Sequence, residues 1–191
     1  MMFKIRLLNI FIAFGMVLIG CLHVHAKDQP CFHEYQVKAA LLYNFSKFVD
    51  WPETSFQNAA APIIIGILGN DPFGNHLDRT IKNKTVKGRS LTIHRFKKLD
   101  DLTPCHILFI SPSEKKHLSE VLDKLKTWHV LTVSDMKNFS RSGGMINLIT
   151  EVNRIRFEIN IDAADQGGLK ISSQLLKLAK IVTTNHQEME K

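Results

Sequence analysis

The chain is poor in the residues that announce chemistry. Its 191 residues hold three cysteines, two tryptophans and two tyrosines. There is no Cys-x-x-Cys and no His-x-x-x-His, so the local spacing of most zinc sites is missing. His33, His76, His94, His106, His117, His129 and His186 fall one to an element, and neither a metal nor a cofactor is expected. No G-x-G-x-x-G occurs. The nearest pattern, Gly66-x-x-Gly69-x4-Gly74, reads better as a tight strand-to-helix turn than as a dinucleotide cradle. Repeats, low-complexity tracts and long linkers are absent. The longest apolar run, residues 7–20, is short for a membrane span. The formal charge of +7 is scattered in pairs such as Lys97-Lys98 and Lys115-Lys116 with acids close by. A nucleic-acid binder concentrates its charge and interleaves aromatics, so no nucleic-acid partner is expected.

What is present begins with an address. In residues 1–26, Lys4 and Arg6 precede the apolar run, and Val24-His25-Ala26 closes it with the spacing of an export cleavage site. Leu18-Ile19-Gly20-Cys21 also fits a bacterial lipobox, in which Cys21 would be lipidated. Two exits are therefore open: a free chain starting at Lys27 in the periplasm, or a lipoprotein tethered through Cys21. Either one places the working protein outside the cytoplasm and argues against ATP-driven chemistry. Removing 26 of the 191 residues leaves 165 and lowers the formal charge from +7 to +5, ample for one domain with a core. Cys31 and Cys105 remain. They either form one bridge, contributing about 4 kcal/mol in the chain-entropy model, or stay as two separate thiols.

The patterning predicts a single layered α/β domain over 27–191, with its core at about 33–183. Val37, Leu41, Phe45 and Phe48 recur at helical spacing over 33–49, ending before Trp51-Pro52 because a residue preceding proline avoids the helical region. Residues 63–68, 91–96, 105–110 and 129–133 read as strands, alternating with helices near 73–83 and, capped by Ser113, to about Thr127. Residues 145–150 and 154–161 flank Glu151-Val152-Asn153 as a hairpin. Ile155, Phe157, Ile159 and Ile161 face one way, and Arg154, Arg156, Glu158 and Asn160 the other. A final helix is expected over 172–183, burying Leu175, Leu178 or Ala179, and Val182. The result is a Rossmann-like, mixed but mostly parallel sheet with a C-terminal hairpin and helix.

Catalytic signals are thin. Ser113 to Lys116 and Ser134 to Lys137 match Ser-x-x-Lys, the spacing of exported serine acylases, but without Ser-Asp-Asn or Lys-Thr-Gly partners. An exported hydrolase is a remote reading, and no catalytic residue is assigned. Asp100-Asp101 should point to solvent. Two segments exceed what packing demands: Asp50-Trp51-Pro52 at a helix exit, and Lys170 with Ser172 and Ser173 at the start of the last helix. A cation and hydroxyls at a helix start suit a small anionic or nucleotide-like ligand; on the residues alone an ordinary N-cap and a Trp core anchor account for them better.

Taken together, several of these segments resemble the YfiR/HmsC-like exported regulators. They are Glu34-Tyr35-Gln36-Val37-Lys38-Ala39-Ala40-Leu41-Leu42-Tyr43-Asn44-Phe45 followed by Phe48 and Trp51-Pro52; Ile67-Leu68-Gly69-x-Asp71-Pro72-Phe73-Gly74; residues 105–111; Gly143-Gly144-Met145-Ile146; residues 154–160; and Leu169-Lys170-Ile171-Ser172-Ser173 with Leu175-Leu176. The resemblance implies a periplasmic, non-enzymatic domain, often dimeric. Such a domain would bind the periplasmic sensor region of an inner-membrane diguanylate cyclase, lowering cyclic-di-GMP and biofilm formation. A periplasmic solute-binding module is the alternative expectation.

Overall fold

The computed structural model describes residues 30–152 and 154–183, with side chains described from Glu34 onward. The expected export segment, Ala26, Cys21, the side chains of Cys31 and His33, Asn153 and His186 lie outside the described residues.

Helix α1 (Pro30–Phe48) runs into the two-residue β1 (Val49–Asp50). Then follow β2 (Ile63–Leu68), α2 (His76–Ile81), β3 (Thr85–Val86), β4 (Arg89–Phe96) and β5 (Ile107–Ile110). Next come α3 (Leu118–Leu125), β6 (Leu131–Ser134), β7 (Ile146–Glu151) and β8 (Arg154–Asn160). The described chain closes with α4 (Ile161–Gln166), β9 (Lys170–Ile171), α5 (Ser173–Leu176) and β10 (Lys180–Val182). The main sheet has the order β10-β8-β7-β6-β5-β2-β4-β3, and β1 pairs with β9 in a separate two-stranded ladder. From β4 through β2, β5 and β6 to β7 every pairing is parallel. The β7–β8 hairpin and the β3–β4 edge are antiparallel. The fold is the expected mixed, mostly parallel α/β layer.

Both faces of the sheet are covered, which is why its central strands read as continuous apolar runs. Ile63, Ile65, Ile67, Ile107 and Phe109 pack with Ala39, Leu42 and Phe45 of α1. The alternate positions Leu68, Leu108 and Ile110 pack with Val121 and Leu125 of α3 and with Phe139. The period of two along each strand divides the apolar residues between two cores.

The structure corrects several boundaries and faces. The buried face of α1 is Lys38, Ala39, Leu42, Phe45 and Ser46, while Val37 is exposed. This helix is apolar most of the way round, so spacing alone did not choose its face. The helix expected from Ser113 is instead capped by Ser111, whose Oγ accepts from the Ser113 N–H at 3.5 Å, and begins as a 3-10 turn, Pro112–His117, before α3. Pro112 presets the first helical φ there. Glu158 and Asn160, expected on the face opposite the apolar residues of this strand, are buried, because residues 136–144 fold over that end of β8: Ser140 Oγ donates to Glu158 and Asn160 Nδ2 to the Ser140 carbonyl. Ile161 starts a helix instead of extending the strand. The final helix stops at Leu176. Residues 180–182 add a strand to the open edge of β8, leaving Leu178 exposed while Val182 is buried. The β-branched pair Ile181-Val182 suits that pleated edge, and Lys180 there meets Glu158.

Candidate functional site

At the amino ends of the parallel strands, β1 and β9 bring the two segments singled out in the sequence side by side. Asp50 is the register partner of Lys170, and the Ser172 N–H donates to the Phe48 carbonyl at 2.8 Å. Asp50, Trp51 and Ser172 of this strip are already engaged. Asp50 forms an ion pair with Lys87, whose ammonium also donates to the Val49 carbonyl. Ser172 Oγ caps the four-residue α5 by accepting from the Leu175 N–H at 3.3 Å. Lys170 and Ser173 are exposed, and Pro52 is half-buried. Trp51 turns inward: its Nε1–H donates to the His106 carbonyl at 2.9 Å, and its ring meets the His106 ring edge-on at 5.8 Å.

His106 organises this edge. Phe56 stacks on it at 4.4 Å, and the Arg89 guanidinium covers Phe56 at 3.8 Å. Nδ1 accepts from the Ile64 N–H at 3.0 Å, so that nitrogen carries no proton. Burial, opposed by the Ser55 backbone and reinforced by nearby Arg89, pushes the imidazole pKa down to about 4.

The other sequence candidates have structural partners. Ser113 Oγ donates to Glu114 Oε1 at 2.8 Å and accepts from the Asn70 N–H at 3.0 Å. Ser134 Oγ donates to the Ile110 carbonyl at 2.7 Å, inside the core. Neither Ser-x-x-Lys match places its lysine on the hydroxyl. In the turn after β2, Gly69 holds φ 88° and lies against Ser113 and Glu114. The glycine is required there, because a Cβ would overlap Ser113 and Glu114. Asp100 and Asp101 are exposed in a 3-10 turn. Cys105 is a free thiol in the core on the far side of the sheet from α1.

At the opposite, carboxyl edge of the sheet lies a cavity of about 380 Å³. Its wall includes Glu34 and Lys38 of α1, Asp135 just after β6, Leu148, Ile149 and Thr150 of β7, and Glu158. Lys38 is 2 % exposed. Its ammonium meets Glu34 Oε1 and Asp135 Oδ2 at 2.5 Å each. Tyr35 donates to the same Asp135 oxygen at 2.8 Å, and Thr150 to Glu34 at 2.7 Å. Burial raises the Glu34 pKa, but the Lys38 and Thr150 hydrogen bonds outweigh it, so the carboxyl titrates below its ordinary range. Glu158 behaves likewise: burial opposes, and Lys180, Ser140 and Arg141 prevail.

The YfiR/HmsC-like family matches residues 35–180, from the first turns of α1 to the start of β10. The chain belongs to this family. The match takes in the amino-edge strip and nearly all of the carboxyl-edge cavity wall. No curated protein matches the chain. Among the described residues of this family member, no group of His, Cys, Asp and Glu could hold a metal ion, and no helix is long and apolar enough to cross a membrane.

Glu34, Tyr35 and Lys38 fall in the family-like first helix, with no site expected there. The available signal was weak: a lysine one position from Ala39, on a face that only packing identifies as buried. Asp135 lies 97 residues further along the chain from Lys38, and nothing local links the two.

Proposed function

We propose that this protein is a non-catalytic periplasmic regulator that binds the periplasmic sensor region of an inner-membrane diguanylate cyclase and holds it inactive, lowering cyclic-di-GMP and biofilm formation. The observation that carries this reading is the family match across nearly the whole described fold. The reading takes residues 27–191 as the mature domain, free after cleavage at Ala26 or tethered through Cys21. Release would work by differential affinity, a signal favouring the unbound form over the cyclase-bound form. The strip of Asp50, Trp51, Pro52, Lys170, Ser172 and Ser173 is the proposed signal-responsive surface. Its two short strands pair through few hydrogen bonds, so the ladder is a low-stability element that a ligand or partner can shift.

Deletion of the gene is expected to raise cyclic-di-GMP. Wild-type protein should restore the low level, and Trp51→Ala or Lys170→Ala should hold it low under conditions in which the wild type releases the cyclase. An unchanged level on deletion would overturn the repressor reading; release by both variants under the same conditions as the wild type would remove the strip from it.

A further inference from the structure

The β4 edge of the main sheet is closed for only part of its length. β3 pairs with β4 at two positions, Thr85 with Ser90 and Val86 with Arg89. The next pair in that register would be Lys84 with Leu91, but the Lys84 N–H donates instead to the Ile81 carbonyl at 3.0 Å. Asn83, in the left-handed region at φ 58°, marks where the chain from α2 bends into β3. Among the described residues no strand covers 91–96 on that side. The Phe96 carbonyl accepts from the Gly69 N–H at 2.9 Å and so faces β2. Backbone direction alternates along a strand, so Thr92 and His94 also face β2, while Leu91, Ile93 and Arg95 aim their N–H and C=O groups outward.

A groove of about 660 Å³ lies along this open stretch, with Ile81, Leu91 and half-buried Ile93 in its wall. Sheet edges are commonly blunted by a lysine or proline on the strand itself, and Leu91-Thr92-Ile93 carries neither. Free backbone groups beside such a groove are what an added strand uses, and the side chains around them select it. Here the selection is by charge. Lys82 and Lys84 in the groove wall are exposed and meet no carboxylate among the described residues; Lys84 lies over the Tyr43 ring. Asp78, the acid of the wall, is held by Arg95 at 2.6 Å, and the same guanidinium holds Asp71 at 2.7 Å. Setting these two acids against Arg95, Lys82 and Lys84 still leaves the edge positive. A second copy pairing here would bring like charges together, which disfavours self-association through this edge.

We infer that the open edge of β4 docks an extended acidic segment of a partner protein, which pairs as an added strand with the outward backbone groups of Leu91 and Ile93 and sets its carboxylates against Lys82 and Lys84. The inference is independent of the regulatory reading and stands or falls without it.

The test is a heteronuclear NMR titration of the purified protein with a capped hexapeptide alternating glutamate and valine, and in parallel with one alternating lysine and valine. The acidic peptide at millimolar concentration should give saturable shifts and slower hydrogen exchange at the Leu91 and Ile93 amides. The basic peptide should bind at least tenfold more weakly. Ile93→Pro removes an outward N–H at a sheet edge, where proline is tolerated, and should abolish the response. Lys82→Glu combined with Lys84→Glu changes only exposed side chains, so it should weaken the acidic peptide at least tenfold even if Ile93→Pro fails to fold. No saturable shift in the wild type would overturn the inference, as would equal binding of the basic peptide. Shifts with unchanged exchange at Leu91 and Ile93 would reduce the contact to surface charge and overturn the strand pairing. Protection of these amides that grows with protein concentration alone would assign the edge to a second copy and overturn the inference as well.

Discussion

At the scale of single residues, His106 is the group whose environment most restricts its chemistry. Protonation would place the ring's second proton on Nδ1, where the Ile64 N–H already donates. It would also put a cation into an aromatic stack beside Arg89. The folded pKa of about 4 lies below the ordinary histidine value, so between the two the unfolded chain binds more protons than the native one. His106 therefore stabilises the fold fully above about pH 6.5, and that stability is lost as pH falls toward 4, a change on the order of 1–3 kcal/mol. Urea midpoints measured from pH 7.5 down to 4.5 should fall for the wild type and fall less for His106→Asn. Parallel slopes would show that another group carries the dependence. The lowered Glu34 and Glu158 pKa values add their loss only at more acidic pH, so the two windows separate.

At the scale of elements, residues 136–144 decide how the C-terminal half closes. Phe139 is fully buried, and a Cβ at Gly144 would overlap its ring. Neither partner can give way in a core packed at crystal density. Gly144→Ala is expected to destabilise the fold by about 1–3 kcal/mol, read as a lowered denaturation midpoint, whereas the same change at exposed Gly74, whose added Cβ meets nothing, costs only its positive φ. A Gly144→Ala protein as stable as wild type would mean that Phe139 is not held as described. Local pattern served unevenly among the elements. The β7–β8 hairpin was legible because alternation and the intervening turn agree. The final helix was not, because Leu175, Leu178 and Val182 match a helical face while residues 180–182 also match a strand. The open edge of β8 settles that conflict, and it lies outside any local window.

At the scale of the whole molecule, the two cores on either side of the sheet depend on one another through the shared strands. Cys105 is a probe of that unity. Burial, opposed by a hydrogen bond with the Gly66 backbone, pushes its thiol pKa up to about 12, so the reactive thiolate is scarce as well as covered. Alkylation of Cys105, followed by peptide mass spectrometry, should rise with denaturant along the same curve as the loss of circular dichroism. Labelling in native buffer at the rate of an exposed thiol would show that the α3 side opens on its own.

The sequence by itself determined the layered α/β class, the mixed sheet and the family, because continuous apolar runs, turn residues and helical spacing are properties of neighbours along the chain. It also marked Asp50 and Lys170 before their strands were known to pair. Tertiary structure alone decided which face of α1 is buried, that residues 180–182 complete the sheet, and that Lys38 meets Asp135 from 97 residues away. Those outcomes depend on burial and edge pairing, which arise only when distant segments remove one another from water.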